Sequence, residues 1–308
     1  MDPSKKASEI WPWLPVFKVV AETQHLPTAA KQLHVSASAL SRTVRLIEEA
    51  IGQELFVRSS RRLILNSAGE RLLAATRRST SSLELGLREV FEQPFSGTYR
   101  VSSLGVLTDA FVLPSLLALT QRHPDLIPQM TTKLASEANQ ALSNGLLDVA
   151  FYYDATTQAG IRCQSLGELT NSVYCGRGHP LFGKRRVATA TLLDYAFSVA
   201  AIGDKGTPMD SWPVDLPRKV GFQILMLSTN VQVALSGAFV AVLPDATAAP
   251  YASSGALWRL APDLIPNTPV YAAFRAEDVG QGATHELIEG MTGRILTAPA
   301  RRRKLSPA

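Results

Sequence analysis

Ala29-Ala30-Lys31-Gln32-Leu33-His34-Val35-Ser36-Ala37-Ser38-Ala39-Leu40-Ser41-Arg42-Thr43-Val44-Arg45-Leu46-Ile47-Glu48-Glu49-Ala50-Ile51-Gly52 is the stretch on which the fold of this chain turns. Ala29, Ala30 and Leu33 give one apolar face to a short helix starting near Pro27, whose ring suits a first turn because the N–H it lacks has no partner there. His34-Val35-Ser36 interrupts that pattern, and Ser36 is a good N-cap for a following helix. In that helix Leu40, Val44, Ile47 and Ile51 recur at spacings of three and four, a buried stripe, and Gly52 closes it as a C-cap does. Two helices joined by so short a turn make a helix-turn-helix. With Leu40, Val44 and Ile47 turned inward, Ala37, Ser38, Ser41, Arg42 and Arg45 lie on the outer face. Alanine and short hydroxyls let a helix sink into the major groove of duplex DNA, and an arginine there can bond guanine O6 and N7 together.

Outward from this stretch the pattern stays consistent. Upstream, Trp13, Val16, Phe17 and Val20 predict a helix over 11–21 with one stripe facing a core. Downstream, Leu55-Phe56-Val57-Arg58 and Leu63-Ile64-Leu65 flank the polar turn Ser59-Ser60-Arg61-Arg62, which reads as a β-hairpin wing with Arg61 and Arg62 at its tip. Ser67-Ala68-Gly69-Glu70 matches a capping box, Asn66 being an alternative cap, and opens a helix reaching about Glu92. Leu72, Leu73, Leu83, Leu87, Val90 and Phe91 suit it to packing along a partner helix, as a dimerisation helix and linker does. Gln93-Pro94-Phe95-Ser96-Gly97 breaks it and marks a domain boundary.

Ala29 to Ser36, Ala39-Leu40-Ser41-Arg42, Ile47-Glu48-Glu49, Gly52, Leu55-Phe56, Arg58 and Leu65-Asn66-Ser67-Ala68-Gly69 together resemble the LysR-type transcriptional regulators. The resemblance implies that Ser36, Ser38, Ser41 and Arg42, with Arg61 of the wing, fall at DNA-contacting positions. Two positions depart from the family's usual pattern. Ala37-Ser38 stands where the family usually has Gln, often followed by Pro, and Pro27 where it often has a Thr cap.

From Thr98 the chain alternates strands with helices: strands near Tyr99–Leu104, Ile127–Lys133, Val149–Tyr152, Ser172–Cys175, Phe197–Ala201, Phe222–Leu227, Phe239–Leu243 and Val270–Phe274, helices near Asp109–Arg122, Ser136–Asn144 and Thr229–Ser236. The repeat predicts a mostly parallel sheet with helices on both faces, and its length suits two lobes. Leu113-Pro114, Pro124-Asp125, Gly145-Leu146-Leu147-Asp148-Val149-Ala150, Gly178-His179-Pro180-Leu181 and Leu243-Pro244 extend the same resemblance. It implies a two-lobed, periplasmic-binding-protein-like α/β effector domain. Phe239 departs where the family tends to have Gly, and the ring is expected to narrow the cleft. The expected plan is a winged helix-turn-helix over 1–66, a linker and dimerisation helix over 67–96, and an effector domain over 97–296. Lobe one takes 97–161 and 269–296, lobe two 162–268, and 297–308 forms a basic, disordered tail.

Ligands of open α/β sheets sit beyond the carboxyl ends of strands, where helix N-termini attract anions. The candidates are Ser102, Ser103, Leu104, Gly105 and Thr108, facing Ile202, Gly203, Asp204, Ser228, Thr229 and Asn230. Hydroxyls, amides and a few apolar groups suit a small organic metabolite, an acid among the candidates.

The charge agrees with an anionic partner. Of the net +5, residues 1–92 hold 13 basic against 10 acidic groups, Arg301-Arg302-Arg303-Lys304 adds four, and 93–300 is nearly neutral. No apolar run is long enough to span a bilayer, and the N-terminal stretch lacks the features of an export signal, so a cytoplasmic protein without membrane contact is expected. Cys163 and Cys175 are too few for a disulfide framework and read as reduced thiols. Nucleophile-elbow, phosphate-loop, HExxH and CxxC motifs are missing and the five histidines are scattered, which argues against an enzyme, a metal or a cofactor. A ligand-responsive DNA-binding regulator, working as a homodimer or homotetramer with RNA polymerase as a further candidate partner, accounts for both halves. An architectural or ligand-independent DNA-binding protein leaves the α/β half without a task, and a solute-binding protein leaves the helix-turn-helix without one.

Overall fold

The computed structural model describes residues 2–59, 62–91, 94–200, 210–224, 226–261, 263–280 and 282–297. They fall into two compact units, one running to Pro94 and taking in Gln140–Leu147, the other made of Phe95–Asn139 and the chain from Asp148 onward.

In the first unit Asp2 caps α1 (Pro3–Ile10), a helix the sequence pattern did not announce. Pro12 and Pro15 divide what reads as one helix over 11–21 into a single 3-10 turn at Trp11–Trp13 and α2 (Leu14–Thr23). Then come α3 (Leu26–Leu33) and α4 (Ala37–Ile51). His34 ends α3 in the left-handed region at φ 55°, and Gly52 ends α4 at φ 75°. The wing is β1 (Phe56–Ser59) paired antiparallel with β2 (Arg62–Leu65), and α5 (Ser67–Val90) follows. Phe17, Val20, Ala29, Leu40, Val44, Ile47, Leu55, Phe56 and Leu73 form one core. Asn66, rather than Ser67, caps α5: its Oδ1 accepts from the N–H groups of Ala68 and Gly69, both at 2.9 Å.

Two local contacts hold the wing to the helices. The Glu48 carboxylate accepts from the Leu55 N–H at 2.9 Å, and the Gln24 carbonyl accepts from the Leu63 N–H at 3.1 Å. At the start of α5, Gly69 leaves room for the Leu55 carbonyl oxygen and the Leu65 side chain.

The second unit begins with β3 (Gly97–Ser103), a π turn at Thr108–Val112 and α6 (Leu113–Arg122). It continues through β4 (Leu126–Thr131), α7 (Ala135–Ser143), β5 (Val149–Tyr152), β6 (Ile161–Leu169) and β7 (Asn171–Gly176). After α8 (Thr189–Leu193) and β8 (Phe197–Ala200) come β9 (Val220–Ile224), α9 (Leu227–Leu235), β10 (Val240–Pro244) and α10 (Asp245–Ser253). β11 (Leu257–Ala261), β12 (Thr268–Arg275) and α11 (Gly282–Thr297) complete it. Two five-stranded sheets result, in the orders β4-β3-β5-β12-β6 and β11-β7-β10-β8-β9.

Three expectations change here. The sheets are mixed: β3, β4 and β5 run parallel, as do β8, β9 and β10, but β12 is antiparallel to β5 and β6, and β7 to β10 and β11. The strands that run against the rest are β7 and β12, each the first strand after a crossing between sheets. Lobe one does not stop at residue 161, because β6 pairs with β12 from Ile161↔Arg275 to Leu169↔Thr268. The first crossing therefore falls at Thr170. The Phe239 ring lies at the amino end of β10, where it fills the space above Gly221 and meets the Phe222 ring edge-on at 5.9 Å. That is the opposite end of the strand from a carboxyl-edge cleft. Residues 298–308 of the expected basic tail lie outside the described residues.

A methyl group at Gly69 would land on the Leu55 carbonyl oxygen. Gly69→Ala is therefore expected to destabilise the first unit by about 1–3 kcal/mol, read as a lower denaturation midpoint with the second unit's transition unchanged.

Candidate nucleic-acid interface and effector cleft

The turn between α3 and α4 is made by His34 in the left-handed conformation and by Ser36, whose Oγ accepts from the Ala39 N–H at 3.2 Å. Burial of Leu40, Val44, Ile47 and Ala50 fixes the rotation of α4 about its axis. The opposite stripe is Ser38, Arg42 and Arg45, all exposed, with Ser36 at its head and Ala37 and Ser41 half-buried beside it. Among the described residues no carboxylate lies within 4 Å of the Arg42 or Arg45 guanidinium. Glu48, the nearest acid along the helix, has a carboxylate oxygen engaged by the wing backbone. Both arginines thus remain available to phosphates or base edges. Val35, 46 % exposed in the turn, is an apolar side chain that the polar reading of this face missed. Arg61 and the side chain of Arg62 lie outside the described residues.

In the second unit the carboxyl edge of the first sheet carries Ser102 and Ser103, each 1 % exposed. Ser102 Oγ is already used, accepting from the Lys133 N–H at 3.1 Å. Ser103 Oγ is buried with no hydrogen-bond partner. Tyr153, which the sequence reading missed, donates its hydroxyl to the Leu104 carbonyl at 3.2 Å and so holds the following turn, where Gly105 adopts φ 49°. The Leu107 and Thr108 N–H groups bond the Leu104 and Gly105 carbonyls, and Thr108 is half-buried.

On the facing lobe Ile202, Gly203 and Asp204 lie outside the described residues. Ser228 and Thr229 point to solvent at the start of α9. Asn230 does not: it is fully buried, and neither carboxamide atom finds a partner. No side chain caps the amino end of α9, so its first N–H groups lack intrahelical acceptors. Leu227 packs against the cores of both lobes, which places this helix end at the junction between them. Ser198 is a further residue the sequence reading missed. Phe197 and Val199 face one core, so Ser198 faces the other side of the sheet with its register partner Ala241, which packs with Val231 and Ala234 of α9. Its hydroxyl is buried and unpaired as well. A serine in the apolar run Phe197-Ser198-Val199 was the available signal.

The crossings between sheets are pinned by short polar contacts. Asn171 Nδ2 donates to Thr268 Oγ1 at 2.8 Å, and Ser211 Oγ lies 2.8 Å from the same Thr268 oxygen. Beside Ser211, Asp210 and Arg218 form a buried two-point ion pair at 2.7 and 2.8 Å, with the guanidinium set against the Phe197 and Trp212 rings. Pairs of this kind fix geometry more than they add stability.

The two cysteines sit in different sheets, Cys163 on β6 and Cys175 on β7. Burial pushes the Cys175 thiol up to about 12, which keeps it protonated and unreactive. Among the described residues no three His, Cys, Asp or Glu side chains are placed to hold a metal ion.

A winged helix-turn-helix with an arginine-bearing outer stripe, ahead of a two-lobed α/β unit with unpaired polar groups at the lobe junction, defines a DNA-binding regulator that answers to a small molecule. Residues 11–70 match the bacterial regulatory helix-turn-helix protein, lysR family, and residues 92–294 match the LysR substrate binding domain. The chain belongs to the LysR family of transcriptional regulators. It is 28 % identical over 296 residues to a probable hydrogen peroxide-inducible genes activator of Mycobacterium leprae, covering 92 % of this chain and 93 % of the relative. Its fold is similar to that of ArgP from Mycobacterium tuberculosis (TM-score 0.68, 17 % identity, 92 % and 96 % of the two chains covered). It is also similar to that of full-length LysG from Corynebacterium glutamicum with bound effector Arg (TM-score 0.65, 16 % identity, 92 % and 97 % covered).

Treatment of the native protein with a thiol reagent is expected to label Cys163, which is half-buried, and to spare Cys175 until the second unit unfolds. Peptide mass mapping after brief labelling reads this directly, and equal labelling of both would contradict the burial.

Proposed function

We propose that this regulator binds a dyad-symmetric operator as a homo-oligomer, with Ser38, Arg42 and Arg45 of paired α4 helices in successive major grooves. Ser36, Ala37 and Ser41 line the same approach, and Arg61 and Arg62 of the wing are assigned to phosphates or the minor groove. The observation that carries this is the outward Ser38–Arg42–Arg45 stripe on a helix whose opposite face is locked in a core. Two-fold symmetry sets half-sites about one helical turn, or a multiple of it, apart.

Exposed apolar side chains support assembly. Leu83, Leu87, Val90 and Phe91 form an open stripe on and just past α5, suited to the same helix of a second copy. Leu113 and Leu117 on α6, with Ile127 on the edge strand β4, offer a second face through which effector domains pair into a tetramer. The domain limits that accompany this reading are 1–66, 67–96 and 97–296, with the lobe boundary at Thr170. The protein is assigned to the cytoplasm, no helix among the described residues being long and apolar enough to cross a membrane.

The signal is a small metabolite bound between the lobes, at Ser103, the Leu104–Gly105 turn, Thr108 and Asn230, together with Ile202, Gly203 and Asp204; Ser102, Ser228 and Thr229 belong to its rim. The relative in Mycobacterium leprae is named for hydrogen peroxide. In this chain Cys163 and Cys175 stand in different sheets and Cys175 is buried, which favours ligand binding over disulfide formation as the trigger. A ligand shifts transcription only if it prefers one lobe arrangement, and hence one placement of the dimers on DNA.

A gel shift on the DNA upstream of its own gene tests the first half of this. Arg42→Ala is expected to weaken binding by about 1–3 kcal/mol and to relax preference at one base pair, whereas Arg61→Ala should weaken all sequences alike and lower the salt slope by about one. Unchanged affinity in both variants would remove the assignment. Leu87→Glu is expected to shift the oligomer toward monomer in light scattering, because it places a carboxylate in the open stripe.

A further inference from the structure

Seven buried side-chain atoms among the described residues lack a hydrogen-bond partner, and three kinds of site account for them. Two belong to the Asp210–Arg218 ion pair, whose atoms face each other at 2.7 Å. One is Ser115 Oγ, under α11 beside Gly290. The other four are Ser103 Oγ, Ser198 Oγ and both carboxamide atoms of Asn230. Asn230 stands within a turn of Leu227, which packs against the cores of both lobes, Ser103 ends β3, and Ser198 faces α9 from β8.

Asn230 is the informative one. A buried amide left unpaired is costly, and a core position would be better filled by leucine of similar size. Its Nδ2 needs an acceptor and its Oδ1 needs a donor, both on one planar edge. A bare carboxylate offers acceptors only, so it could satisfy Nδ2 but would set a second negative oxygen against Oδ1. A carboxylate with a neighbouring O–H or N–H offers acceptor and donor side by side. The uncapped amino end of α9 adds unpaired N–H groups and a partial positive charge on the same helix, which favours the acid. The Ser103 and Ser198 hydroxyls each add a neutral donor and acceptor.

We propose that Asn230 is the specificity-determining contact of the effector site, and that the effector is a small carboxylic acid bearing a hydroxyl or amino group beside its carboxylate. This rests on the cleft reading above and narrows it to a ligand class.

The test uses the full-length protein and matched acids that differ by one donor group: lactate against propionate, malate against succinate, alanine against propionate. Calorimetry and thermal denaturation are expected to show binding by at least one hydroxy or amino acid, and at least tenfold weaker binding by its donor-free partner. Asn230→Asp, which replaces the donor edge with a second acceptor, should weaken that binding at least tenfold. Asn230→Leu should abolish it and at the same time raise the melting temperature of the ligand-free protein, by about 2–4 °C for a unit of this size. A merely structural asparagine would give the opposite shift. The proposal is overturned if the donor-free acids bind within twofold of their partners, if no acid of the set binds, or if Asn230→Leu melts lower than the parent. A metabolite of another class that binds and alters the gel shift would overturn this inference and leave the ligand-responsive regulator standing. Loss of operator binding by the parent protein itself would instead count against the regulator reading.

Discussion

Leu40, Val44 and Ile47 occupy one face of α4, and their burial against α2, α3 and the wing contributes about 1.5–3 kcal/mol each. That burial does more than stabilise. A helix can be turned about its axis only by trading the residues it buries, and a one-residue slip would rotate every side chain by roughly 100°. The direction of Ser38, Arg42 and Arg45 is therefore decided inside the protein, before any DNA is present. Glu48 carries the constraint onward: it stands on the same helix and accepts from the Leu55 and Phe56 N–H groups, so the start of the wing takes its position from α4. Gly69 passes it on again by letting the Leu55 backbone lie against α5.

The second unit is governed by a different constraint, the double crossing of the chain. β6 ends in the first sheet and β7 begins in the second with only Thr170 between them, and the return leads into β12. Two extended segments connect the lobes, so a small change in their backbone angles can turn one lobe against the other without breaking either core. The Asn171–Thr268–Ser211 contacts sit where such a change would be absorbed. This also explains why the sheets are mixed. The strands of each lobe otherwise keep one direction, and only β7 and β12, the first strand after each crossing, run against it.

What could be read from the sequence follows the locality of the signal. Ser36, Gly52 and the three-and-four spacing of Leu40, Val44 and Ile47 act within a few residues, and the structure keeps all of them. Val149–Tyr152 is a fully buried strand and was found at its true limits. Elements without a local signature were missed. β6 is an edge strand whose burial follows no alternation, so Ile161–Leu169 shows no period of two. α10 contains Pro250, which reads as a helix breaker, and α11 carries Gly282 and Gly290. The same limit applies to the cleft. Serine, threonine and asparagine at helix starts look alike in sequence, but folding sends Ser228 and Thr229 into solvent and Asn230 into the interior. Ser102 and Ser103 are adjacent and equally buried, yet one serves the Lys133 backbone and the other serves nothing inside the protein.

That last distinction bears on how function is recognised in a fold of this kind. A polar group with a partner in its own chain is accounted for by stability alone. A buried one without a partner lowers stability, so where several gather on elements facing a lobe junction a ligand that completes them is the economical account. The DNA-binding helix shows the same logic at the surface, since Arg45 has Glu48 and Glu49 one turn away and pairs with neither. In both places the residues that do least for the isolated protein are the ones aimed at its partners. The apolar stripe that fixes α4 and the orphaned amide of α9 are thus opposite uses of burial: one spends hydrophobic contact to hold a geometry, the other withholds a hydrogen bond until a ligand supplies it.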